Sequence, residues 1–332
     1  MNQFTSIYGA INRDKNKPLR ILTYSTHEGF QFEMAKTNNQ FVHIPSPEGK
    51  KWEPEYREIP SNIIEMEFEQ FMATDCVDLI VSHTLQQRDT VQKLANSFDI
   101  PHINLAHCYP NPSFPQKTFD MIQSQCGTDA NIFTTHDQMR SWHFDEMENS
   151  FIIEHGIDTD HFAGWKYNPN GKILTVANEY KSRGAELGYD IYEEVVNSLG
   201  NDKFFHVGKS SDGTSEPAKS YDDLVGIYNS CGIFLNTCHR SVLPTTLLEA
   251  MSVGAPVVSM PNPTINWLIV NGENGFVVED AKQMIEKTNE ILSNRDLAEK
   301  IGKNARETVV SRYNTDRFVN KWNDLFYSCV KK

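Results

Sequence analysis

Short apolar runs alternate with longer amphipathic stretches along most of the chain. In the first half, 20–26, 42–44, 78–83, 100–108 and 130–135 read as buried strands, because their apolar residues run almost without interruption. Residues 32–38, 63–73, 88–98 and 136–144 carry helical spacing, with 27–31 as a turn and 45–62 as a long Pro-rich loop. The second half repeats this rhythm. Strands are expected at 172–177, 203–208, 232–236 and 255–259, and helices up to about 199 and over 221–229, 281–292, 296–310 and 315–329. Continuous apolar strands interleaved with helices predict α/β units of the Rossmann-like kind, each built on a parallel sheet.

A length of 332 residues suits two such domains, with the boundary expected between 163 and 164. Hydrophobic content of 39% and charged content of 23% describe a globular chain with a proper core. No apolar run is long enough for a membrane span. Residues 1–18 read as a polar lead-in without the basic and apolar segments of a signal peptide. The six cysteines form no C-x-x-C pair, which points to reduced thiols and a cytoplasmic protein. A net charge of −13 argues against a broad nucleic-acid surface and leaves room only for a local basic groove.

The most informative stretch runs from Ser241 to Phe276. Pro244 suits the first position of a helix, where a missing N–H costs nothing. Thr245, Thr246, Leu247 and Leu248 then offer free backbone donors, and the helix dipole adds positive potential, so this terminus suits a phosphate. Gly254 ends the helix and 255–259 forms a buried strand. Glu249 lies one turn beyond the helix start, where its carboxylate would accept hydrogen bonds from a ribose diol. Two strands of the first half end in polar tips bearing His83 and His107, at the carboxyl edge where parallel sheets bind ligands. Gly29 follows the first strand, where a glycine would let the backbone approach a ligand. The G-x-G-x-x-G fingerprint is absent, which counts against a dehydrogenase.

The pieces L-L-E-A-M-S-V-G-A-P-V-V and N-G-E-N-G-F resemble the donor site of nucleotide-sugar glycosyltransferases of the GT-B fold, in particular retaining family 4. That resemblance covers roughly 19–325 and implies two Rossmann-like parallel-sheet domains facing across a cleft. It implies an acceptor domain over 1–163, a donor domain over 164–315, and a final helix, 316–332, crossing back onto the first domain. It also implies that Glu249 holds the ribose, that the amides of Thr245, Thr246 and Leu247 bind the leaving diphosphate, and that His107 orients the transferred sugar. The family's loop of G-R, five residues, then K-G falls on 177–184. Its Arg position is Asn178 and its Lys position is Arg183, with Lys181 as a second cation beside it. Gly208 ends the strand after which the family places the nucleotide base. The resemblance raises Gly29 as a residue facing donor and acceptor. The family carries a further Glu eight residues before Glu249, and here that position is Ser241, flanked by His239 and Arg240.

The expected activity is therefore transfer of a hexose or related sugar, with retention, from a nucleotide-diphosphate sugar. The acceptor would be a saccharide or another small or lipid-linked hydroxyl compound. No cofactor and no metal are expected. Asp158-Thr-Asp160 spells the D-x-D of metal-dependent transferases, but it lies inside the segment G-I-D-T-D-H-F, which resembles the family's interdomain signature. The replacements at Ser241 and Asn178 keep open a non-catalytic sugar-nucleotide-binding homologue. A phage-type enzyme acting on modified DNA bases shares the fold class and is disfavoured by the acidic charge.

Overall fold

The computed structural model describes residues 17–330 apart from 47–48, 56, 75, 84–87 and 125–126. Most of the expected polar lead-in, 1–16, lies outside the described residues. Two compact units emerge. One joins the described residues up to His155 with those from Asp316 onward; the other spans Gly156–Thr315.

The first unit is a seven-stranded sheet in the order β3-β2-β1-β4-β5-β6-β7. Its strands are β1 Arg20–Tyr24, β2 Gln40–Ile44, β3 Ile63–Glu65, β4 Leu79–Ser82, β5 His102–Leu105, β6 Ala130–Phe133 and β7 Ser150–Ile152. All the pairings are parallel. The helices between them are α1 Glu28–Ala35, α2 Phe68–Thr74, α3 Arg88–Phe98, α4 Gln116–Ser124 and α5 His136–Ser141. The chain order reverses direction between β1 and β4, and that crevice, beyond the carboxyl ends, is where such sheets take ligands.

Two expectations change here. Residues 63–73 are not one helix: Ile63 and Ile64 pair with Phe41 and Val42 as an edge strand, and the helix begins only at Phe68. β-Branched side chains suit that half-buried edge better than a helix. Residues 27–31 are not a turn either. Helix α1 already starts at Glu28, because the Gln31 side chain accepts the amides of Thr26 and His27 and so holds the first turn closed.

The second unit is a five-stranded parallel sheet in the order β12-β11-β10-β8-β9. It contains β8 Ile173–Val176, β9 Phe204–Val207, β10 Ile233–Asn236, β11 Val257–Ser259 and β12 Phe276–Val277. Its helices are α6 Tyr180–Arg183, α7 Tyr189–Leu199, α8 Tyr221–Ser230, α9 Thr245–Val253, α10 Pro263–Leu268, α11 Ala281–Ser293 and α12 Arg295–Arg312. Here the reversal falls between β8 and β10.

The boundary lies earlier than the sequence suggests. The Ile157 amide donates to the Tyr313 carbonyl at 2.7 Å, and Phe162 is buried in the core with Leu174 and Leu247. Residues 156–163 therefore belong to the second unit. The last helix, α13 Thr315–Val330, lies in the first: Phe318, Trp322 and Phe326 pack with Leu19, Ile21 and Phe30. An amphipathic helix must bury its apolar stripe somewhere, and the sheet of the first unit supplies the surface.

Helices α9 and α12 approach so closely that a Cβ at Gly302 would overlap the Gly254 carbonyl oxygen. Neither backbone can yield without moving a packed helix. Gly302→Ala is expected to cost about 1–3 kcal/mol, seen as a lowered melting temperature of the second unit. An unchanged melting temperature would contradict this close approach.

Candidate functional site

In the first unit, the reversal point gathers imidazoles. The His83 ring, fully buried, places Nδ1 at 2.9 Å from Nε2 of His107. His27, at the start of α1, stacks on His107 with centroids 4.5 Å apart. Phe30 meets both His107 and His155 edge-on. Burial pushes His83 down to about 3, holds His107 well below the ordinary histidine range and takes His155 to about 4, so these rings are neutral at pH 7. His83 is thus a partner of His107 rather than an independent residue. Gly29 sits in the first turn of α1, and a Cβ there would meet nothing within 4 Å. It leaves open space at the helix start, without the positive φ that would demand glycine.

Gln31, His27 and His155 carry no signal of this role in the sequence. A glutamine inside an apolar helix gives no periodic signal, and only the fold brings it against His83 at 3.1 Å.

In the second unit, the N-terminus of α9 differs in one respect from expectation. Pro244 is the cap, not the first helical residue, because its ψ of 124° is extended. Its carbonyl accepts the amides of Leu247 at 3.2 Å and Leu248 at 3.3 Å. Among the described residues, the donors left at this terminus are the Thr245 and Thr246 amides, both half-exposed. Glu249 follows one turn later, only 4% exposed, with Oε2 accepting the Tyr228 hydroxyl at 2.9 Å. A fully buried tyrosine therefore fixes the carboxylate. Nothing in the spacing of Tyr228 and Glu249 announces the pair.

The loop after β8 is where the structure changes the reading most. The Asn178 side chain accepts the Lys209 amide at 2.9 Å, and the Glu179 amide donates to the Lys209 carbonyl. Asn178 thus ties two loops together rather than presenting itself outward. Arg183 is bonded to Glu186 at 2.6 Å, and Lys181 stands 3.8 Å from Asp212. The Arg183 hydrogen bond holds the Glu186 carboxyl below the usual range, with Arg240 adding in the same direction. Both cations are exposed, and each already has a carboxylate that an incoming anion must displace. Ser241 is engaged through its backbone: its amide meets the Cys238 sulfur and its carbonyl accepts from Asn262. The loops around 183–187 and 237–241 are adjacent, since Cys238 reaches the Glu186 carbonyl and Thr237 bonds to the Leu187 carbonyl.

Gly208 has a structural task. At φ +152° its missing Cβ lets the chain pass against the Ala177 carbonyl, and its amide donates to Glu216. Beside it, a cavity of about 830 Å³ runs along edge strand β9 and the 214–219 loop, with Tyr189, Tyr192, Phe204 and Phe205 among its walls. Asp158 accepts the His161 amide at 3.0 Å, a local turn bond.

Residues 217–308 match the model of the family described as glycosyl transferases group 1. The matched residues lie wholly within the second unit. A capsular polysaccharide biosynthesis glycosyltransferase, CapM of Staphylococcus aureus, is 25% identical over 151 residues, which is 44% of this chain and 40% of that protein. The chain therefore spans well under two thirds of that curated relative. A sucrose-phosphate synthase from Thermosynechococcus elongatus superposes with a TM-score of 0.72 at 12% identity, over 93% of this chain and 98% of that one. Anabaena HepE, solved with UDP and glucose, gives 0.73 at 12% identity, over 93% of this chain and all (100%) of the other. These likenesses establish the fold, an α/β chain of the GT-B class with two parallel sheets.

The matched residues include α9 with Thr245, Thr246, Leu247 and Glu249, together with Ser241. The loop bearing Asn178, Lys181 and Arg183 lies outside them, as do His107 and Gly29. Among the described residues, no group of His, Cys, Asp and Glu is arranged to hold a metal, and no helix is long and apolar enough to cross a membrane.

Proposed function

We propose that this chain transfers a sugar, with retention, from a nucleotide-diphosphate donor to a hydroxyl acceptor. The observation that carries this reading is the N-terminus of α9 with its two remaining amides and, one turn on, a buried carboxylate fixed by Tyr228. Amides and helix dipole suit a diphosphate, and a fixed carboxylate suits a ribose diol. Arg183 and Lys181 would add charge once released from Glu186 and Asp212. His107 would orient the transferred sugar. HepE, which shares the fold, was solved with UDP and glucose, which favours a uridine nucleotide. A saccharide acceptor accords with the names of the relatives. A duplex acceptor is disfavoured by the net charge of −13. The absence of a C-x-x-C pair in the sequence fits a cytoplasmic site of action.

A second reading has its own observation. Asn178 and Ser241 spend their polar groups on neighbouring loops, and both cations are paired, which suits a nucleotide-sugar binder without turnover. One experiment separates the two. The melting temperature is measured with UDP, GDP, ADP and their sugar conjugates, and release of nucleoside diphosphate is followed with sugar acceptors. Stabilisation by one nucleotide together with release of its diphosphate is expected. Stabilisation without release supports the second reading; no stabilisation by any nucleotide rejects both.

A further inference from the structure

Gln31, His83 and His107 form a hydrogen-bonded line inside the first unit, and donor counting along it has one solution. The Gln31 amide orientation is fixed at one end. Its Oε1 accepts the backbone amides of Thr26 at 3.0 Å and His27 at 3.1 Å, so a flipped side chain would set an NH2 group against two N–H donors. The Nε2 atom then carries two hydrogens and no lone pair. One goes to the Tyr24 carbonyl at 2.7 Å. The other points at Nε2 of His83, 3.1 Å away, which must be an acceptor.

The Thr23 hydroxyl, 2.8 Å from the same nitrogen, has a single hydrogen within reach of that nitrogen and of the Val81 carbonyl. That nitrogen's single lone pair already takes the Gln31 hydrogen, so the hydroxyl hydrogen is shared between His83 and the Val81 carbonyl and the Gln31 donor decides the tautomer. Neutral His83 therefore carries its proton on Nδ1, and that N–H donates to Nε2 of His107 at 2.9 Å. With Nε2 accepting, His107 holds its own proton on Nδ1.

We propose that Gln31 and His83 are positioning residues that lock His107 in the Nδ1–H tautomer, so that the ring offers a hydrogen-bond donor to a sugar oxygen. The opposite tautomer would offer a lone pair and select a hydroxyl hydrogen instead. Only this consequence for the sugar rests on the reading of His107 as a substrate-facing residue; the tautomer itself does not. Burial keeps both rings neutral, so the line does not depend on a bound ligand to hold it.

The test is the long-range proton–nitrogen correlation spectrum of the full chain labelled with nitrogen-15 histidine, recorded without ligand at pH 7. Wild type is expected to show His83 and His107 both protonated at Nδ1. A His107 proton on Nε2 would overturn the proposal outright. Gln31→Glu keeps the acceptor for Thr26 and His27 but replaces the donor to His83 by a carboxylate oxygen. It is expected to reverse the line, moving both protons to Nε2. Gln31→Met, a milder change should the glutamate variant not fold, leaves Thr23 as the remaining donor to His83. Two coexisting His107 tautomers are then expected. An unchanged single Nδ1–H form in the folded variants would remove Gln31 from the mechanism. Because no donor or acceptor substrate enters the measurement, a correct tautomer alongside absent sugar transfer would count against the enzymatic reading and not against the relay.

Discussion

Acidification below pH 6.5 is expected to unfold the first unit well before the second. His43, His83 and His102 are each at most 1% exposed, and burial holds all three at about 3. In the unfolded chain these rings take up a proton near pH 6.5, while the folded unit refuses it until about pH 3. The unfolded state thus binds more protons throughout that window, so stability is complete above 6.5 and falls as the pH drops. Each ring contributes a slope of about 1.4 kcal/mol per pH unit, so three give roughly 4 kcal/mol per unit. His107 and His155 act in the same direction. Against a typical stability of about 5–15 kcal/mol, the loss becomes decisive within about two units.

The second unit carries one such ring, His206, whose value burial also lowers. Urea unfolding at pH 7 and pH 5, followed by tryptophan fluorescence, reads the difference, since Trp52, Trp142 and Trp322 are all buried in the first unit. The midpoint is expected to fall sharply at pH 5. His102→Gln should reduce the pH slope by about 1.4 kcal/mol per unit, as one titrating ring is removed. Equal midpoints at the two pH values would show that these rings are solvated or paired in a way the fold does not display.

Glu249→Gln is expected to weaken nucleotide-sugar binding on the order of 100-fold. Hydrogen bonds to a charged acceptor contribute about 1.5–3 kcal/mol each, and a ribose diol makes up to two of them. Glutamine keeps the side-chain length, so a carbonyl oxygen can still accept the Tyr228 hydroxyl while the charge is gone. The other terminal atom becomes a donor facing donors. Calorimetric titration with the nucleotide identified in the stabilisation panel measures the loss, and the melting temperature without ligand checks that the fold is intact. Affinity within about threefold of wild type would remove Glu249 from the ribose site. Tyr228→Phe offers an independent check, because it removes this hydrogen bond to the carboxylate without removing the carboxylate itself.

The helix start at α9 was legible because its signals are local. A proline, two threonines, an apolar face and a closing glycine follow from spacing alone; what moved was the cap residue, by one position, and the Leu247 and Leu248 amides, expected free, which bond to the Pro244 carbonyl. The loop cations were less legible. Lys181 and Arg183 show as charges in the sequence, but their carboxylate partners Asp212 and Glu186 reach them through the fold of a loop. Residues 63–65 depart from the expected helix for a related reason: an edge strand is decided by the neighbour it pairs with, here Phe41 and Val42, not by its own three residues.

The sequence by itself determined the two α/β units, the α9 donor terminus and the placement of histidines at strand ends, while the order of the strands in each sheet came only from their pairing. The first three follow from periodicity and from residue preferences that act within a few positions. The tertiary structure alone decided that Tyr228 holds Glu249, that Asn178 ties two loops, that 156–163 belongs to the second unit, and that Gln31 reaches His83. Each of these joins groups brought together by packing, and the geometry of a hydrogen bond cannot be read from side chains whose separation in space is set by the core between them.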